Sequence, residues 1–200
     1  EQGETARSLF QDAQDMLQKI ITERWLRARA TVGIFPAAAE GDDVVIFNDK
    51  ERTQHAMRLN FLRQQKTKAD GRANRCLSDY IAPVSSDLPD HIGLFAVTAG
   101  LGIETKLAEF ESDHDDYSSI MLKALADRLA EALAEHTHRL VRTDLWAYDK
   151  NEALENETLI AEGYRGIRPA PGYPACPDHA EKEKIFQLLD AGENSQMTLT

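Results

Sequence analysis

The stretch "TVGIFPAAAEGDDVVIFND", residues 31–49, decides the fold class. Thr31–Ala37 and Asp42–Asp49 are two short apolar runs rich in β-branched residues, and the link between them is brief, with Gly41 at the turn. That pattern predicts a pair of strands. Upstream, Leu9, Phe10, Ala13, Met16, Leu17, Ile20 and Ile21 recur at spacings of three and four between Thr5 and Trp25, the stripe of an amphipathic helix. Downstream, "HAMRLNFLRQ" (55–64) is ambiguous between strand and helix. "HIGLFAVTAG" (His91–Gly100) follows a loop containing Pro83 and Pro89 and reads as a strand apolar on both faces. A long helical tract runs from about Ile103 to about Tyr148, with a break near "ESDHDDY" where Asp113 or Asp115 caps a second helix. Strands and helices follow one another without regular βα alternation. The expected class is therefore α+β, a twisted antiparallel sheet flanked by helices.

Composition narrows the function. The chain has 200 residues and 42% apolar content, enough for one sizeable core or two small ones, and reads as one globular unit. Its 34 acidic against 23 basic side chains give a formal net charge of −11, which disfavours phosphate backbones and anionic lipid heads, so neither nucleic acid nor membrane is an expected partner. Cys76 and Cys176 stand in no metal-binding or disulfide-framework spacing, which fits a reducing cytosol. No apolar run reaches the roughly 20 residues a membrane-spanning helix needs, and "EQGETARSLF" is not a signal peptide.

The second half of the chain carries the candidate chemistry. Met121, Leu125, Leu129 and Leu133 form an i, i+4 ridge, and Ala124, Ala126, Ala130, Ala132 and Ala134 spread small side chains over other faces, which predicts closely packed neighbours. Asp127 and Glu131 lie one turn apart, able to present two carboxylates to one spot, although most such pairs are simply solvated. "NEALENETLIAEGYRGI" predicts a short acidic helix ending near Gly163, and "DHAEKEKIFQLLDA" a last helix with Asp178 as its cap and Glu181 at capping-box spacing. Between them lies "RPAPGYPACPDH" (168–179), which holds four of the seven prolines. Each proline fixes φ near −65° and biases its predecessor to extended geometry, and Gly172 permits angles or close approaches closed to other residues. The result is a loop made rigid before any ligand arrives, flanked by Arg168, able to grip a carboxylate, and Tyr173, able to cover an apolar or cationic group. A proline-stiffened corner with Arg168 in an ordinary ion pair is the plainer alternative. His114, His136, His138 and His179 lack ligand spacing, so no metal is expected and the four read as surface or capping groups.

"RPAPGYPACPDH", with "HDDYSSIMLKALADRLAEALAEHTH", "FAVTAG", "LRQQ" and "GIFPA", resembles the C-terminal reactivation domain of cobalamin-dependent methionine synthase through nearly the whole chain. The resemblance implies an S-adenosylmethionine site in which Arg168, Gly172 and Tyr173 supply the RxxxGY motif, Ala170 adds a backbone contact, and Arg168 meets the methionyl carboxylate. It also implies that Asp127, Glu131 and Glu162 surround the ligand's positive end, where a sulfonium gains from Coulomb attraction. The parent reaction moves a methyl group from methyltetrahydrofolate to homocysteine to form methionine. In the family this domain docks over the cobalamin module of the same enzyme and reactivates oxidised cob(II)alamin, with S-adenosylmethionine as methyl donor and flavodoxin or another reductase supplying an electron. Such a reaction needs alignment and no general base, so no catalytic side chain is expected. The chain has no GxGxxG after its first strand, unlike doubly wound methyltransferases.

Against the family pattern, residues 1–200 are expected to make up most of one reactivation domain, lacking segments at both ends. The missing parts would be an aspartate contact before Glu1 and a tyrosine-bearing, sheet-forming region after "QMTLT". Cobalamin would be bound by another module, and this fragment alone would not run the full reaction. The alternative is a docking or structural domain for a cobalamin module or flavodoxin that does not bind S-adenosylmethionine in this form.

Overall fold

A two-residue turn at Gly41–Asp42 joins β1 (Arg27–Glu40) to β2 (Asp43–Phe47), with Glu40 opposite Asp43 and Ala37 opposite Ile46. The computed structural model describes residues 2–68 and 71–199. β3 (His55–Leu59) pairs antiparallel with β2, which settles the ambiguous segment as a strand for its first five residues. β4 (Asp90–Leu101) completes a four-stranded sheet in the order β3-β2-β1-β4. Six α-helices accompany it among the described residues: α1 (Gln2–Glu23), α2 (Ile103–Ser112), α3 (Asp116–Leu140), α4 (Asn156–Ile160), α5 (Glu181–Leu188) and α6 (Ala191–Ser195). The class is α+β, as the alternation-free pattern predicts.

The chain divides into two compact units, one made of Glu1–Ala30 and Val97–Thr137, the other of Thr31–Ala96 and His138–Thr200. In the first, Met16 and Ile20 of α1 bury against Met121 and Leu122 of α3, with Ala13, Phe110, Leu125 and Leu129 around them. The α1 stripe is narrower than its sequence: Leu9, Phe10 and Ile21 are exposed, Phe10 at 66%. Leu122, beside the expected leucine ridge, is the side chain closed off from solvent. Of the five alanines on α3 only Ala126 is buried, so close packing on several faces is not found. Asp115 accepts the Ser118 N–H at 2.9 Å and is the cap that starts α3; that bond draws its carboxyl below the usual range.

In the second unit Ile46, Leu59, Leu94 and Ala96 of the sheet meet Leu189, Ala191 and Met197 from the C-terminal helices. The alternation of β2 explains this: Ile46 faces this cluster, while Val45 and Phe47 join Ala38 in a smaller one on the other face. The "LRQQ" segment is neither helix nor strand. Arg63 donates to both carboxylate oxygens of Asp79, at 2.8 and 2.7 Å, and to Asp42 at 2.9 Å, tying the segment to the hairpin turn and holding Asp79 down at about 2. The last helix differs from expectation. Asp178 accepts the Ala180 N–H at 2.8 Å, a bond within the loop, and α5 starts only at Glu181. Glu181 is itself buried and pairs with Lys184 at 2.7 Å, so no capping box forms.

The end of α3 is the largest departure from the sequence reading. The helix widens into a π turn, Val141–Leu145, and the chain then doubles back so that the Asp149 N–H reaches the Arg142 carbonyl at 2.9 Å. Arg142 is completely buried. Its Nη2 donates to Glu152 Oε1 at 2.6 Å, its Nε to Glu152 Oε2, and its Nη1 to His138 Nδ1 at 2.6 Å. His138 is therefore no surface or capping group: it is buried, one helical turn from Arg142, and accepts through Nδ1, which keeps the ring neutral. Burial, with Arg142 and then Arg168 nearby, holds its pKa down at about 4.

Two outcomes follow from this packing. Ile46→Ala, which empties the centre of the sheet core, is expected to cost about 3 kcal/mol in denaturant unfolding; a loss below about 1 kcal/mol would mean the core closes around the gap. The second concerns pH. The unfolded imidazole takes its proton at the ordinary value of 6.5 and the folded one only near 4. The unfolded chain binds more protons between those values, so this group's stability is full above the unfolded pKa and is lost as pH falls toward the folded one. About 2 kcal/mol should disappear between pH 7 and pH 5. His138→Gln should flatten that slope, and an unchanged slope would remove His138 as its source.

Candidate functional site

The rigid loop is built from its entry inward. α4 stops at Ile160, the Gly163 N–H closes the helix end on the Thr158 carbonyl at 2.9 Å, and Glu162 turns the chain in the left-handed region at φ 56°. Tyr164 is then buried, and residues 165–167 run exposed to Arg168. Arg168 and Ala170 are half-buried, whereas Gly172 and Tyr173 are open to solvent, Tyr173 at 65%.

Within the loop the prolines act through specific hydrogen bonds. Cys176 N–H donates to the Tyr173 carbonyl at 2.9 Å across a turn with Pro174 at its second position, where its fixed φ belongs. Gly172 N–H donates to the Cys176 carbonyl at 2.7 Å, and Tyr173 and Cys176 form an isolated antiparallel bridge. Gly172 holds φ at 96°, and a Cβ built there would stand 2.4 Å from Cε1 of His179, whose ring lies against it. A side chain there is strained by this φ and would have to displace the His179 ring. Cys176 is buried beneath the turn, and burial, with Glu181 and Asp178 nearby, pushes its thiol up, so it serves as a neutral anchor. The loop thus offers a shaped backbone, a guanidinium on one side and an open phenol ring on the other.

Arg168, Ala170, Gly172, Tyr173 and Glu162 all belong to the second unit; Asp127 and Glu131 belong to α3 in the first. Glu162 and Asp127 are exposed. Glu131 is exposed too and pairs with Arg128 at 2.8 Å, one turn away. Among the described residues no group of three or more His, Cys, Asp or Glu side chains could hold a metal ion, and no helix is long and apolar enough to cross a membrane.

The sequence reading missed the residues beneath the loop. Tyr164 lays its ring 4.2 Å from the Arg142 guanidinium and meets His138 edge to face at 4.8 Å. Tyr148 Oη donates to the Arg165 carbonyl at 3.3 Å, and Arg165 Nη1 donates to the Tyr148 carbonyl at 3.2 Å. The i, i+4 spacing of His138 and Arg142 is a signal a sequence does carry. The meeting of Arg142 with Glu152 depends on how the chain turns after the helix, and no periodicity announces it.

Residues 1–200 match the family described as vitamin B12 dependent methionine synthase, activation domain. Among solved structures, one of the MetH reactivation domain bound to AdoHcy superposes with a TM-score of 0.93 at 52% sequence identity. The match covers 99% of this chain and 61% of that one, so this chain spans under two thirds of the solved protein's length. With the family pattern matched over residues 1–200 and the fold shared at 52% identity, the chain belongs to the activation-domain family of vitamin B12-dependent methionine synthase.

Proposed function

We propose that this chain binds S-adenosylmethionine, and S-adenosylhomocysteine after methyl loss, at the Arg168–Tyr173 loop. One observation carries the reading: the loop is locked in shape by its own hydrogen bonds and by Gly172, in a chain 52% identical to a domain solved with AdoHcy. The residues fit the ligand. Arg168 has the planar, two-pronged donor set a carboxylate takes up bidentately. Gly172 exposes main chain with no side chain of its own, while the His179 ring fills the place a Cβ would take. Tyr173 presents an exposed ring for the sulfonium or adenosyl portion. Ala170 adds main-chain polar groups within the motif. The resemblance adds Glu162 in the same unit, and Asp127 and Glu131 in the other, as carboxylates toward the ligand's cationic end.

When bound, S-adenosylmethionine supplies an electrophilic methyl group. The chain's part is to bind and orient, which accords with a loop whose conformational entropy is already spent. In the parent enzyme, a methyltransferase acting on methyltetrahydrofolate and homocysteine, this unit would serve reactivation of cobalamin held by another module. Flavodoxin or another reductase would supply the electron, in the cytoplasm. The net charge of −11 repels an acidic reductase at long range, so that docking must rest on local complementarity.

Calorimetric titration with S-adenosylmethionine tests the reading. Saturable binding is expected, weakened about 10- to 100-fold by Arg168→Ala through loss of a charge-assisted hydrogen-bond pair. Absence of heat from a folded sample would favour a docking scaffold instead. Gly172→Ala should lose about 1–2 kcal/mol of stability, since an L side chain pays that in the left-handed region, and should weaken the ligand as well; undiminished affinity would place the ligand away from this turn.

A further inference from the structure

Arg168 sits on a segment anchored at two places just before it, Tyr164 on a buried cluster and Arg165 with Gly166 on the half-buried Tyr148. Tyr164, four residues earlier, stacks on the guanidinium of Arg142 and meets His138 edge to face. Arg142 has no freedom of its own, because Glu152 takes Nε and Nη2 and His138 takes Nη1. Arg165 exchanges two hydrogen bonds with Tyr148, and Gly166 turns at φ 97° so tightly against it that a Cβ would lie 3.0 Å from Tyr148 Oη. Arg168 follows Tyr164 by four residues, a stretch that spans at most about 14 Å, so the anchoring of Tyr164 limits where Arg168 can lie.

The cluster has a character that stability alone does not explain. Replacing a buried ion pair by well-packed apolar side chains is often neutral or stabilising, so such a pair is weak evidence for a contribution to folding. A bidentate Arg–Glu pair with a third hydrogen bond does fix the orientation of the guanidinium plane, and with it the plane of the ring stacked on top. The electrostatics agree on proximity: both Arg142 and Arg168 act on His138.

We propose that Arg142, oriented by Glu152 and His138, is a positioning residue that acts through Tyr164 to place the Arg168 guanidinium for the ligand carboxylate. The inference rests on the reading that Arg168 holds that carboxylate. It assigns the buried cluster to ligand discrimination: without it, the chain still folds and still holds the rest of the ligand, but loses its preference for the carboxylate.

The test is calorimetry with two probes, S-adenosylmethionine and decarboxylated S-adenosylmethionine, which differ by the group Arg168 is proposed to hold. The unaltered chain should prefer the first by about tenfold or more, the scale of a charge-assisted pair. Tyr164→Phe keeps the stacked ring and should keep the preference. Tyr164→Leu keeps an apolar side chain without the ring; it should bind the two probes alike, with affinity for the decarboxylated one changed less than threefold. A purely structural role would weaken both probes together or neither, so a Tyr164→Leu chain with the full preference overturns the proposal. If that variant does not fold, His138→Leu, which removes one acceptor of Arg142, takes its place with the same two outcomes. An unaltered chain that binds neither probe, or binds both equally, refutes the reading of Arg168 and the inference with it.

Discussion

A guanidinium with no contact to water sits at the end of the longest helix, and the second half of the molecule is arranged around it. Leaving Arg142 unpaired in that position would cost several kcal/mol, so the chain must deliver acceptors to it. Glu152 arrives because the helix widens and the backbone doubles back; His138 is already one turn upstream. Tyr164 closes the remaining face. Each partner comes from a different stretch of chain, so satisfying one side chain settles the course of residues 138–164. The loop that follows inherits its starting point from this arrangement.

The loop itself is rigid for a different reason. Its prolines narrow the backbone choices, but they do not select one shape; the Tyr173–Cys176 turn and the Gly172–Cys176 hydrogen bond do. Burial of Cys176 then fastens the turn to the body of the unit. For the ligand proposed above, donors and a ring would already be in place, and the energy of ordering the loop would remain available for binding.

Much of this was legible in the residues, and the failures are informative. The β1–β2 hairpin follows from its β-branched runs, and the start of α3 from a cap at Asp113 or Asp115, of which the structure uses Asp115, because strand propensity and capping are local. The α1 stripe was read too wide: spacing marks which residues can share a face, but only the width of the partner decides that Met16 and Ile20 are covered and Phe10 is not. The capping box at Asp178 and Glu181 failed because burial of Glu181 beside Lys184 competes with its local role. The lack of ligand spacing at His138 suggests a surface or capping group, and nothing in its neighbours announces a buried arginine. Of the candidate site, the motif at Arg168, Gly172 and Tyr173 was visible as a stiff loop with a cation and a ring, while its foundations were not.

The sequence by itself determined the α+β class, the start of α3, the hairpin and the stiffness of the Arg168–His179 loop, since each depends on φ preferences, β-branching and capping within a few residues of chain. Only the tertiary structure decided which apolar faces are covered, where α3 gives way to a π turn, and how Arg142, Glu152, His138 and Tyr164 come to share one buried cluster. Those outcomes depend on pairing between residues distant in sequence. Desolvating a charge is tolerable only where such partners converge, a condition on three-dimensional position that no one-dimensional spacing expresses.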